Sequence, residues 1–288
     1  MTTQTGITPP ARRFVLEFTK MSGAGNDFIV LDNRFYRFLG EELSSFAVRF
    51  CARRTGIGAD GLLALNPATS NEAVYRMAYY NADGSLGTMC GNGARCLARF
   101  ARQAGLTNEP LIFDSDAGIY SASVPGVEQS VRLFVPPPKG FRRDIKFSSA
   151  VPPGSTDAHY LWTGTEHAVV YVDDVENVNV VGFGSALRRD TLLGTNGANI
   201  NFVQVIDDGV LRVRTFEKGV EAETLACGTG SIASSLVTAL TREQSVNRYT
   251  VQMAGGTLYV GFEGSADQPE SLYLEGPAEV VYRGSVEL

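Results

Sequence analysis

The sequence has very little histidine. It holds only His159 and His167 in 288 residues, so a site in which several histidines hold a metal is excluded by count. Cysteine is nearly as rare. Cys51, Cys90, Cys96 and Cys227 are too few for a disulfide framework and lack the paired spacing of a zinc site. Long apolar runs are missing too: a membrane-spanning helix needs about 20 consecutive apolar residues, and no such stretch occurs. Positive charge is outweighed, with Lys+Arg 25 against Asp+Glu 31 and a formal net charge of −6. That balance argues against nucleic acid as the main partner. Residues 1–13 are polar, carry Pro9 and Pro10 and contain no apolar signal core. They read as a flexible leader, so a cytoplasmic protein with free thiols is expected.

Apolar residues make up 44% and charged residues 19%, enough for a sizeable core and too few charges for disorder. The informative feature is a long internal repeat. Ser22–Asp32 lines up with Thr163–Asp173, an offset of 141 (22 to 163). Gly58-Ala59-Asp60 lines up with Gly197-Ala198-Asn199, an offset of 139 (58 to 197). Cys90-Gly91-Asn92-Gly93-Ala94 lines up with Cys227-Gly228-Thr229-Gly230-Ser231, an offset of 137 (90 to 227). Three landmarks in one order at nearly one spacing imply two similar halves of ordinary domain size. A solenoid has far shorter units.

Both halves read as mostly strands with one helix each. Alternation of apolar and polar residues marks strands at Phe14–Phe18, Val210–Arg214, Tyr249–Met253 and Thr257–Phe262. After each Cys-Gly-x-Gly the period changes. Ala94, Leu97, Ala98 and Ala101 follow helical spacing, with Gly105 as the stop, and Ile232, Ala233, Leu236, Val237 and Leu240 do the same. The expected fold is α+β: two pseudo-symmetric domains, each a mostly antiparallel, barrel-like sheet wrapped around a central helix. Pro136-Pro137-Pro138 marks the boundary between halves.

Cys90 and Cys227 each stand at the start of such a helix. A helix start carries partial positive charge and unpaired N–H groups. It is therefore expected to lower the thiol pKa toward neutrality, and its N–H groups at Gly91-Asn92 and Gly228-Thr229 suit a carboxylate. If the halves face each other, a thiol lies on each side of a carbon bearing that carboxylate. One thiolate removes the α-proton and the opposite thiol delivers another, inverting the centre. The chemistry needs no cofactor and no metal. Cys51 and Cys96 read as small buried apolar side chains. His167 takes the repeat position of Asn26, whereas His159, between Asp157 and Tyr160, reads as exposed.

Six motifs together resemble the diaminopimelate epimerase family: Lys20–Phe28, Gly56–Gly61, Asn81–Ser85, Cys90–Cys96, Gly197–Asn199 and Glu223–Gly230. The resemblance implies interconversion of LL- and meso-diaminopimelate without pyridoxal phosphate, on the route to lysine and peptidoglycan, in an enzyme that commonly forms homodimers. It implies that Cys90 and Cys227 are the acid–base pair and that Gly91, Asn92, Gly228 and Thr229 hold the reacting carboxylate. Asn26, Asn81 and Asn199 would bind substrate, Glu217 and Lys218 would meet its amino groups and far end, and His167 and Glu217 would tune the electrostatics. The implied domains are 14–134 plus 276–288, and 135–275. Three departures concern the far end: Lys218 stands where arginine is usual, Thr165-Glu166-His167 where Asn-Pro-His is common, and Glu217–Cys227 is one residue longer. Open alternatives are another cofactor-independent amino-acid racemase, a thiol redox protein and a non-catalytic binding module.

Overall fold

The computed structural model describes residues 14–126, 130–242, 244 and 246–288; the leader expectation for residues 1–13 lies outside them. Five α-helices occur among the described residues: α1 (Asn33–Tyr36), α2 (Gly40–Cys51), α3 (Gly91–Gln103), α4 (Val180–Leu187) and α5 (Gly228–Thr241). None is long and apolar enough to cross a membrane. Eighteen strands join in one hydrogen-bonded network. Most ladders are antiparallel. The parallel ones fall at matching places in the two halves: Asn26–Leu31 with Gly61–Asn66 and Glu166–Val172 with Asn199–Asp207, then Tyr75–Asn81 with Leu111–Ser115 and Val210–Glu217 with Arg248–Met253.

Parallel neighbours cannot be joined by a tight turn and need a crossover, usually a helix. That requirement corrects the reading of one helix per half. α3 and α5 cross over inside the strands, as expected. α2 and α4 are the crossovers of the other parallel pairs and cover the outer face. Each half thus has an inner core around its central helix and an outer core under its second helix. Ala94, Leu97, Ala98 and Ala101 pack with Phe28, Leu63 and Leu133, and Ile232, Ala233, Leu236 and Val237 pack with Val169, Val203 and Leu274.

The ladders also refine the repeat. Phe28 and Val169 both face their central helix, an offset of 141 (28 to 169). Their parallel partners are Gly61 and Asn201, an offset of 140 (61 to 201), so the second landmark shifts by one residue from the sequence alignment.

His159 is buried, at 1% exposure, and the expectation of an exposed ring is corrected. Its polar neighbours in sequence mislead, because alternation along Ser155–Trp162 turns it to the same side as Leu161, toward the inner core. Its Nε2 lies 2.6 Å from Asp157 Oδ2, and its Nδ1 accepts the Asp144 N–H at 3.1 Å. Arg242 pairs with both oxygens of Asp157. Asp144, Asp157 and His159 come near enough to surround an ion, but both ring nitrogens and the Asp157 carboxylate are already engaged.

Candidate active site

Both central helices begin on a cysteine for the same local reason. Cys90 and Cys227 are extended (φ −136°, ψ 116° and φ −122°, ψ 109°) and act as N-caps. The Cys90 sulfur accepts the Gly93 N–H at 3.5 Å, and the Cys227 sulfur accepts the Gly230 N–H at 3.4 Å. These contacts use one of the donors that every helix start leaves open. The N–H groups of Gly91, Gly228 and Thr229 find no acceptor among the described residues.

The two helix starts converge. A Cβ on Gly91 would sit 3.5 Å from Leu274 Cδ2, and one on Gly228 would sit 2.7 Å from the same methyl carbon. Leu274 belongs to Pro269–Gly276, which pairs with Val131–Phe134 beneath both helices. Glu217, at the end of Val210–Glu217, acts electrostatically on both thiols. Its carboxylate is held by the Thr224 hydroxyl at 2.6 Å.

On the first side, the turn Ala24-Gly25 (φ 56° and 92°) delivers Asn26. Positive φ at both positions is the two-residue hairpin geometry, and glycine accepts it without strain. Gly25 packs against Leu225 and Gly255 of the other half. Asn26 Oδ1 accepts from Asn92 Nδ2 at 2.6 Å, and Asn26 Nδ2 donates to Asp60 at 3.1 Å. Asn81 is tied to the Tyr79 hydroxyl (2.7 Å) and to Ser85 (2.9 Å).

On the second side, Lys218 Nζ pairs with Glu166 Oε2, and Thr165 donates to the same carboxylate at 3.1 Å. Asn199 joins them: its Oδ1 accepts the Lys218 N–H at 2.9 Å, and its Nδ2 donates to the Glu166 carbonyl at 3.2 Å. Two of the three departures from the family pattern therefore meet as one ion pair. The third, the longer loop, is tied outward, with Glu221 held by Arg188 and Arg189 at the end of α4. Sequence reasoning treated Lys218 as a cation open to substrate. It missed Glu166 as its partner, since 52 residues separate them.

His167 is fully buried. Its Nδ1 accepts from Asn201 Nδ2 at 3.1 Å. Burial, with Lys218 adding to it, lowers its pKa to about 3. The folded ring is therefore neutral while an unfolded one would bind a proton below about pH 6.5. Stability then falls as pH drops from about 6.5 toward 3. His167→Asn, copying Asn26, is expected to flatten that limb. Urea midpoints measured between pH 4 and 7 check it, and an unchanged slope would contradict it.

The expected lowering of both thiol pKa values does not hold. Burial pushes Cys90 and Cys227 up, outweighing the N–H contacts from the helix starts. Desolvation penalises the thiolate more than a half-charge at the helix end favours it.

Two duplicated halves, each with strands around a central helix, are a fold that solved structures share. One is a phenazine biosynthesis protein of the PhzF family from Bacillus anthracis, with TM-score 0.72 and 17% identity over 96% of this chain and 100% of that one. Another is a hydroxyproline epimerase from Agrobacterium vitis, with TM-score 0.67 and 16% identity over 96% and 93%. At these identities the likeness is one of fold. The family model for diaminopimelate epimerase matches residues 18–135 and 160–281. Curated relatives of that name include one from Chlorobaculum tepidum, 44% identical over 93% of this chain and 100% of its own length. A relative from Aquifex aeolicus is 35% identical over 93% and 97%. The chain belongs to the diaminopimelate epimerase family.

Proposed function

We propose that this protein interconverts LL- and meso-2,6-diaminopimelate by proton transfer between Cys90 and Cys227, as part of lysine and peptidoglycan-precursor synthesis in the cytoplasm. The observation that carries the reading is the convergence of two cysteine-capped helix starts on Leu274. A carboxylate set against the Gly91-Asn92 and Gly228-Thr229 N–H groups gains charge-assisted hydrogen bonds from both helices. Its α-carbon then lies between the sulfurs. One thiolate takes the α-proton, and the electron pair moves into the carboxylate, where those N–H groups stabilise it. The opposite thiol then gives its proton to the other face. Each turnover inverts the centre and exchanges the roles of the thiols. Asn26, Asn81 and Asn199 orient the substrate, and Glu217 and Lys218 face its amino groups and far carboxylate. His167 and Glu217 set the surrounding electrostatics.

The experiment is incubation of the purified protein with LL-diaminopimelate and separation of isomers by chiral chromatography. Approach to an LL/meso mixture is expected; unchanged LL isomer alongside rapid turnover of proline or hydroxyproline would refute the substrate assignment.

The two halves are taken as 14–134 plus 276–288 and as 135–275. Pairing of Glu279–Glu287 with Val15–Gly23 supports that division. The same final strand suggests a homodimer. Among the described residues it is hydrogen-bonded on one side, and it exposes Val281 and Tyr282. An edge with exposed apolar side chains invites a partner. Sedimentation is expected to give a dimer, which Val281→Glu with Tyr282→Glu turns into monomer; a monomeric parent protein would contradict this.

A further inference from the structure

Tyr79 and Asn81 lie two apart on Tyr75–Asn81, so both fall on the strand face that carries Tyr75 and Met77 toward the core around α3. Their ladder partners on that face include two glycines. Gly87 of Leu86–Gly87 stands opposite Tyr79, and Gly61 of Gly61–Asn66 stands opposite Asn81. The missing side chains leave a slot for the Tyr79 ring. A Cβ on Gly87 would lie 2.3 Å from Tyr79 Cδ1, and one on Gly61 would lie 2.6 Å from Cε2. The ring meets Phe28 edge-on, with centroids 6.2 Å apart. Phe28 in turn lies against the start of α3, its Cε1 3.5 Å from where a Cβ on Gly93 would be. Held in this slot, the Tyr79 hydroxyl reaches Asn81 Oδ1 at 2.7 Å. Burial pushes the phenol pKa up, so the hydroxyl keeps its proton.

The hydrogen bonds around Asn81 run in one direction. An ionised carboxylate only accepts, and Asp83 Oδ1 takes the Ser85 hydroxyl proton at 2.6 Å. The Ser85 oxygen is thereby left to accept, and Asn81 Nδ2 donates to it at 2.9 Å. With its nitrogen toward Ser85, the amide turns its oxygen to Tyr79, which donates. Asn81 Nδ2 carries a second N–H. Apart from the Ser85 hydroxyl, its nitrogen reaches only the Ser85 carbonyl among the described residues, at 3.5 Å, the weak limit of a hydrogen bond. An N–H with so little to hold it suits a carboxylate oxygen.

We propose that Tyr79 is a positioning residue for substrate binding: its hydroxyl, lodged between Gly61 and Gly87, orients the Asn81 amide so that the second N–H donates to a substrate carboxylate. The inference rests on the epimerase reading and deepens it with a residue outside all six sequence motifs. Tyr79 moves no proton to or from the α-carbon. Its loss therefore weakens binding and spares the chemical step.

The test is steady-state kinetics with diaminopimelate on the full chain. Tyr79→Phe keeps the ring and is expected to raise KM about three- to tenfold, the net worth of one hydrogen bond, with kcat within about twofold of the parent. Gly87→Ala, which drives a methyl group into the ring, should raise KM in the same way with Tyr79 present and add little in Tyr79→Phe. In an Asn81→Ala background Tyr79→Phe should leave KM nearly unchanged, because residues that act through one contact are not additive. A parent-like KM in Tyr79→Phe, or the same factor in both backgrounds, would overturn the proposal. A second reading needs no substrate. The Asn81 side-chain amide signals of isotope-labelled protein, identified by their loss in Asn81→Ala, should shift in Tyr79→Phe. Signals that stay in place would overturn the proposal whatever the substrate. Signals that shift in a protein whose parent leaves diaminopimelate unchanged would support the orienting of Asn81 and overturn the proposed function instead.

Discussion

Cys90→Ala and Cys227→Ala are each expected to lower kcat by at least about 10³-fold, in the range that acid–base groups contribute. Inversion needs an acceptor on one face of the α-carbon and a donor on the other, and each variant leaves one face with a methyl group. Both cysteines cap helices through their sulfurs, so circular dichroism must accompany the assay to separate lost chemistry from a lost cap. Serine keeps a cap but is a far poorer base, so Cys90→Ser and Cys227→Ser should fold and remain slow. Cys51→Ala and Cys96→Ser serve as controls. Burial pushes both thiols up to about 12, and neither caps a central helix. Turnover near that of the parent protein in Cys90→Ala or Cys227→Ala would remove the two-thiol mechanism.

Lys218→Ala is expected to raise KM for diaminopimelate by one to two orders of magnitude, roughly the 1.5–3 kcal/mol of a hydrogen bond to a charged group. The ion pair gives the effect two sources. Lys218 is lost to the far carboxylate of the substrate, and Glu166 is left without its partner beside an incoming anion. Burial alone would raise the Glu166 pKa, yet the Lys218 contact holds it at about 2, so the carboxylate stays ionised at neutral pH. Breaking one partner of such a pair costs more than neutralising both. In a Glu166→Gln background, Lys218→Ala should therefore raise KM by less than it does alone. Equal effects in both backgrounds would mean that the pair does not act on the substrate. Steady-state kinetics on the four proteins, with lysine as a monocarboxylate comparison, reads both the coupling and the preference for a diacid.

The parts legible in the sequence are those specified over a few residues. Cys-Gly-x-Gly announced α3 and α5 because a cap and a change of period are local signals. α2 carried an amphipathic signal in Leu43, Ala47 and Phe50, with Glu41 and Glu42 in its first turn, but it was outweighed by the strand pattern around it. α4 carried hardly any: Val180–Leu187 holds two valines and two glycines, poor helix formers that stay helical because the parallel strands on either side require a crossover. Partners set by sheet register were hidden. His159 reads as polar and exposed until its strand face is known, and Glu166 meets Lys218 only through the register of Glu166–Val172 with the neighbouring Asn199 strand.

Proton traffic in deuterated water tests the two-thiol mechanism most directly. LL-Diaminopimelate is incubated with the protein in deuterium oxide, and early samples are resolved into isomers and weighed by mass spectrometry. Two thiols on opposite faces deliver a solvent-derived deuteron to nearly every molecule of meso product, while the LL isomer recovered at early times stays almost unlabelled. A single base that returns its own proton to either face would leave product unlabelled or put label into recovered LL isomer as fast as into product, and that result would contradict the assignment of Cys90 and Cys227 as opposed acid and base.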